Sequence, residues 1–218
     1  MQWFDFLFPP REDEIVLRNL STDAFCARLA PQLVSYTRPP TVALLPFADP
    51  TVRAAIHEAK YRGSERAFAL LSVTLADFLP DYLAEAGHEG RTTSHIEGKR
   101  SNLVSLVPVP LGRARRKERG FNQVEEVGKR AVRGLDIALD PSLLLRIRET
   151  TSQVSLARQA REENMRGAFA TTHPADPTRT YILLDDVVTT GATLQAAIDT
   201  LVEAGGTRDH ILPIALAH

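Results

Sequence analysis

The sequence predicts an α/β protein, a parallel sheet covered by helices on both faces, with a small N-terminal lobe. Three observations carry this. From residue 103 onward, short segments alternate with helical patterns: strands at 103–107, 143–147, 181–184 and 211–215, helices at 122–133 and Ala192–Glu203. The strand segments are continuously apolar, as in sheets buried on both sides. Finally, 218 residues with 44% hydrophobic content suffice for a core.

The first 50 residues form a separate N-terminal segment in this reading, and 51–218 the main domain. Pro9, Pro10, Pro31, Pro39, Pro40, Pro46 and Pro50 interrupt any long element there. A short helix is expected over 23–34 and a strand over 42–45. Pro50 suits a helical first turn, and Val52, Ile56 and Ala59 continue at helical spacing to a stop at Gly63. A second helix follows over 64–79, marked by Phe68, Leu71, Leu75 and Phe78. The polar stretch 89–102 reads as an exposed loop. No internal repeat or low-complexity segment is present.

Composition narrows the class. Lys+Arg number 26 against 27 Asp+Glu, a net charge of −1, which gives no global pull toward nucleic acid or an anionic membrane. One cysteine excludes a disulfide framework and a thiolate-rich metal site. No apolar run approaches the ~18 residues that span a bilayer. The N-terminus has no basic stretch and carries Asp5 within its apolar run, a poor signal peptide. The expectation is a soluble cytoplasmic protein without membrane insertion.

In parallel sheets, ligands bind beyond the carboxyl ends of the strands. After strand 181–184 comes Asp185-Asp186-Val187-Val188-Thr189-Thr190-Gly191-Ala192-Thr193, then a helix. Two acids at a strand end suit the vicinal hydroxyls of a sugar, or Mg²⁺ with its water shell. A threonine- and glycine-rich loop opening a helix suits a phosphate. A ribose 5-phosphate satisfies both, with Asp185 and Asp186 as the chemical residues and Val187 to Thr193 as the phosphate cradle. No Walker A sequence occurs. The plainer alternative is a helix cap with a tight glycine turn.

Two further segments carry charge. After strand 103–107 comes Pro108-Val109-Pro110-Leu111, then a basic run in which five cations and one acid give residues 113–119 a charge of +4. Pro110, Leu111, Arg113, Arg115, Arg116 and Arg119 would bind an anionic leaving group such as pyrophosphate, although a solvated basic loop has the same composition. The segment 146–169 contains Gln153, Arg158, Arg161 and Asn164, either as a mobile substrate lid or as an ordinary surface helix with pairs such as Arg158 with Glu162. His57, with Lys60 one turn away, reads as a surface-helix residue. The remaining histidines show no metal-ligand spacing. Cys26, among Phe25, Ala27 and Leu29, reads as a buried structural thiol.

The run 185–193 resembles the phosphoribosyl-pyrophosphate (PRPP) motif of type I phosphoribosyltransferases. Together with VPVPLGRARRKERGFNQ, RIRETTSQVSLARQAREENMRGAF and Ile56 to Gly63, it resembles the ComF branch of that superfamily over about residues 50–217. The resemblance implies a Rossmann-like core with a hood lobe. It implies Mg²⁺-PRPP as donor, pyrophosphate as leaving group and pentosyl transfer to an acceptor the sequence does not identify. By the same resemblance, Asp185 and Asp186 hold the ribose hydroxyls, Val188 to Thr193 enclose the 5′-phosphate, and the metal is held mainly through PRPP. It also implies a role in competence and DNA uptake, with single-stranded DNA or competence proteins as partners; a homo-oligomer stays open. A non-catalytic PRPP- or nucleotide-binding regulator is the alternative. ComF proteins commonly open with a four-cysteine zinc module. Cys26 is the only cysteine here and no histidine lies in the first 50 residues, so no structural zinc is expected, and Trp3, Phe4, Phe6 and Phe8 would pack that segment instead.

Overall fold

Two short helices, α1 (Glu12–Arg18) and α2 (Thr22–Cys26), lead into β1 (Gln32–Val34) and β2 (Thr41–Leu45). Next come α3 (Pro50–Arg62), α4 (Glu65–Leu83) and the strands β3 (Ser94–Ile96) and β4 (Lys99–Ser101). Then follow β5 (Val104–Pro108), α5 (Arg113–Arg119), α6 (Gln123–Ala131), β6 (Ala138–Leu139) and β7 (Leu144–Arg146). The chain finishes with β8 (Phe169–Thr171), β9 (Thr180–Val187), α7 (Ala192–Glu203) and β10 (Ile211–Ala217). This computed structural model describes residues 11–85, 94–96, 99–101, 103–149 and 165–218. The aromatic residues expected to pack the segment 1–10, and Gln153, Arg158, Arg161 and Asn164, lie outside the described residues.

Six strands form one sheet in the order β1-β2-β10-β9-β5-β6. All neighbours are parallel except the edge pair β1/β2, so the expected α/β class with a Rossmann-like parallel sheet is observed. Strand alternation sends Val104, Leu106, Ile182, Leu184, Ile214 and Leu216 into one core with α3, α4 and α6. The alternate residues Val107, Tyr181, Leu183 and Ala215 enter a second core under α7, against Leu194, Ala197, Ile198 and Leu201. Strands buried on both faces must be continuously apolar, which is the pattern that marked them in the sequence.

Caps set the helix bounds. Asp49 accepts hydrogen bonds from the N–H groups of Thr51 (2.7 Å) and Val52 (3.3 Å) at the start of α3. Arg11 reaches from the segment before α1 to the buried Glu58 on α3, with guanidinium nitrogens 2.9 to 3.1 Å from its carboxylate. Cys26 is half-buried, its Sγ 4.0 Å from Thr74 Oγ1, and burial pushes its thiol pKa up, the setting of a structural rather than a reactive thiol.

Several expected elements differ. The helix expected over 23–34 ends at Cys26, because the Ala30 N–H is drawn to the Leu44 carbonyl at 3.0 Å and Pro31 cannot continue a helix ladder. The helix expected to stop at residue 79 runs through Pro80 to Leu83, with Leu75, Leu79 and Leu83 buried along one face. The stretch 89–102, expected as a loop, contains the antiparallel β3/β4 pair. The basic run 113–119, expected as a loop, is helix α5.

The strand expected over 143–147 does not join the parallel sheet. It forms β7 and pairs antiparallel with β8, while the two-residue β6 takes the place beside β5. Asp140 explains the turn: its carboxylate accepts the N–H groups of Ser142 (3.2 Å) and Leu143 (3.0 Å) and redirects the chain. Among the described residues, no helix is long and apolar enough to cross a membrane.

Candidate functional site

At the carboxyl edge of the sheet, a cleft of about 450 Å³ is lined by β9 residues Asp185, Asp186 and Val187, by Lys60 and Tyr61 of α3, by Val109 to Leu111, by Arg115 and Arg119 of α5, and by Gln123, Arg146 and Thr193. Beside it, a smaller hollow of about 40 Å³ is lined by Asp185 and residues 187–194. The strand end and its loop therefore line adjoining hollows.

The pleat of β9 separates the two acids. Asp186 shares its face with Ile182 and Leu184, toward α3 and α6. There the Lys60 ammonium lies 3.0 Å from one carboxylate oxygen, and the Gln123 amide donates to the other. Asp186 is buried, and so is Gln123. Asp185 points to the opposite face, where one of its oxygens accepts the Asp186 backbone N–H at 2.8 Å. Burial, and next the adjacent Asp186 charge, raise the Asp185 carboxyl pKa from 3.8 to about 7. Asp186 is thus fixed by protein partners, and Asp185 is the carboxylate poised to change protonation near neutrality.

The loop after β9 is braced from outside. Gly191 adopts φ of 84°, and an added Cβ there would sit 2.5 Å from the Arg38 carbonyl oxygen. The Arg38 N–H in turn donates to the Thr190 carbonyl at 3.1 Å. Gly191 caps helix α7 with no side chain; the Ala192 N–H donates to Thr190 Oγ1 at 3.4 Å, and the next N–H groups of the first turn are suited to an anion.

The turn of α5 distributes the basic run over two faces. Arg115 and Arg119, one turn apart, line the acidic cleft. The Arg119 guanidinium lies 5.1 Å from the Tyr61 ring centroid and donates to Gln123 at 2.9 Å. Arg113 and Arg116 instead line a neighbouring cleft with Lys117. Pro110 and Leu111 form the shared wall of the two. Asn122 fastens that wall, donating to the Val109 carbonyl at 3.0 Å while accepting the Val124 N–H that starts α6.

Sequence reasoning missed Lys60, Tyr61, Gln123 and Arg146 as site residues. The available signal for the first two was Gly63: its φ of 61° turns the chain tightly against Phe121, 3.0 Å from where a Cβ would stand, and so joins the α3 end to the α5–α6 segment. Arg146 reaches the site from β7, its guanidinium 5.7 Å from the Phe169 ring centroid. Burial, then the nearby Arg115 charge, lower its pKa. His57 is half-exposed, 3.7 Å from Asp13.

Lys60→Ala should lower the unfolding free energy by about 2 kcal/mol, because the buried Asp186 charge loses its counter-ion. Urea denaturation measures this, and Asp186→Asn in the same chain should recover part of the loss if the pair is the cause.

Of the two acids, Asp185 fits a magnesium ion that arrives with its phosphates. Mg²⁺ takes one or two protein carboxylates plus substrate oxygens and water; Asp185 lines both hollows, while Asp186 has one oxygen beside Lys60 and the other accepting from Gln123. Among the described residues, no group of three or more His, Cys, Asp or Glu side chains is assembled to hold a metal by the protein alone.

No family model matches the chain. It is 33% identical over 170 residues to the DNA utilization protein YhgH of Escherichia coli strain K12, covering 77% of this chain and 69% of that protein. It is 34% identical over 115 residues to competence protein F of Haemophilus influenzae, half of each chain. Competence protein ComFC of Bacillus subtilis is 35% identical over 101 residues, covering 46% of this chain and 39% of the relative. Through relatives of these names, the first aligned over more than two thirds of its length, the chain belongs to the ComF family.

Proposed function

We propose that this protein binds a ribose 5-phosphate ligand, with Mg²⁺-PRPP as its first candidate, and transfers the phosphoribosyl group to an acceptor. The observation that carries the reading is the meeting of three chemistries at one sheet edge, in two adjoining hollows: the Asp185–Asp186 strand end, the 187–193 loop opening α7, and the half-buried Arg115 and Arg119. The loop and the first turn of α7 would take the 5′-phosphate. Asp185 would accept from a ribose hydroxyl, and Arg115 and Arg119 would face the pyrophosphate. Bound with the ligand, Mg²⁺ would supply further neutralisation of the pyrophosphate charge.

Bond breaking at the anomeric carbon puts positive charge on the ribose and negative charge on pyrophosphate. The cleft offers a carboxylate to the first and guanidinium groups to the second, so no nucleophilic side chain is needed. Pro110, Leu111 and Asn122 would hold the arginine helix against the sheet edge while this happens. A role in competence and DNA utilisation is supported in this proposal by the names of the relatives; cytoplasmic residence, with single-stranded DNA or competence proteins as partners, is proposed along with it.

Calorimetric titration with PRPP and Mg²⁺ tests binding, with Asp185→Ala plus Asp186→Ala expected to eliminate the heat. Pyrophosphate release over a panel of bases and amines tests transfer. Binding without release from any acceptor favours the non-catalytic regulator. Absence of binding sinks both.

A further inference from the structure

The second cleft, between α5 and β7, differs in character from the first. It measures about 580 Å³ and contains no residue of β9. One wall is cationic, with Arg113, Arg116 and Lys117 on one side of α5. Arg116 is neutralised by Glu125 at 2.8 Å, whereas, among the described residues, neither Arg113 nor Lys117 is paired with a carboxylate. Those two stand one helical turn apart, a spacing that lets both reach a single anion. The opposite wall is apolar: Leu145 and Ile147 are 47% and 56% exposed, two large aliphatic side chains left in contact with water.

A phosphate alone would use only the cationic wall, and a hydrophobe alone only the other. The cleft volume lies in the range of small-molecule sites. We propose that this cleft is a subsite for a nucleoside 5′-phosphate, its phosphate held by Arg113 and Lys117 and its base laid against Leu145 and Ile147. The chemistry is shared by a free nucleotide and by the phosphorylated 5′ end of a strand. The inference stands apart from PRPP binding, since the two clefts share only Pro110, Leu111 and Arg146.

Thymidine 5′-monophosphate, titrated into the full chain and followed by amide NMR shifts, tests this. Expected are shifts at 113–117 and 144–147, an affinity lowered at least tenfold by Arg113→Gln plus Lys117→Gln, and a similar loss with Ile147→Gln. Asp185→Asn should leave it unchanged, which separates this site from the first even if PRPP does not bind. Equal binding of unphosphorylated thymidine, or unaltered binding in the Gln variants, would overturn the proposal. A 5′-phosphorylated deoxythymidine decamer that competes better than the monophosphate identifies the strand end as the source, and one that competes worse identifies the free nucleotide. A decamer binding equally with and without its 5′-phosphate counts against the site.

Discussion

Asp185→Asn should make the protein more stable at pH 8 while weakening its proposed ligand binding. The carboxyl pKa rises from 3.8 to about 7 in the fold, through burial and through the neighbouring Asp186 charge. Between those two values the unfolded chain gives up this proton and the folded chain keeps it, so stability falls as pH rises through the window. An amide has no such proton to lose. The variant should therefore gain about 2–4 kcal/mol at pH 8, read as a higher urea midpoint, and the gain should vanish near pH 3. In the unmodified protein, affinity for PRPP should rise about tenfold from pH 6 to pH 8 as Asp185 ionises, and this slope should be missing in Asp185→Asn. A less stable variant at pH 8 would refute the raised pKa of the Asp185 carboxyl.

Gly191→Ala should have the opposite balance, damaging both stability and the loop. Positive φ alone costs a residue with a Cβ about 1–2 kcal/mol. Here the new atom would also stand 2.5 Å from a backbone oxygen of Arg38, which cannot swing aside like a side chain. The whole 189–192 turn must shift, so an unfolding free energy lower by at least about 2 kcal/mol is expected, with more than tenfold weaker phosphate binding. Gly120→Ala is the matched comparison: its φ is 81° with no atom within 4 Å of the added Cβ, so it should pay the conformational cost alone. Equal effects at the two positions would remove Arg38 from the explanation.

The parts of the fold legible in the sequence were those set by short-range patterns. The apolar run of β9, the Pro50 and Gly63 bounds of α3, and α7 opening after Gly191 depend on local periodicity and turn chemistry. The site was legible where it lies along one strand and its loop, 185–193. It was illegible where it is assembled from distant segments: Lys60 and Gln123 are 126 and 63 residues from Asp186 in the chain, and only the packing of α3 and α6 on one face brings them there. The basic run 113–119 was visible as charge, but its division into two faces required knowing that it is a helix. Strand β7 was recognised as a strand, yet its partner β8 and its exclusion from the main sheet depend on the Asp140 turn.

The alternation of β9 has a consequence for how the two acids can vary. Because they point to opposite faces, neither can stand in for the other, and a second carboxylate next door offers no backup. Exchanging chemistry between them would require sliding the strand by one residue, which would also turn Ile182 and Leu183 into each other's cores. The hydrophobic layers on both sides therefore fix which aspartate is clamped and which faces the hollow, so the division of labour is written into the register of the sheet.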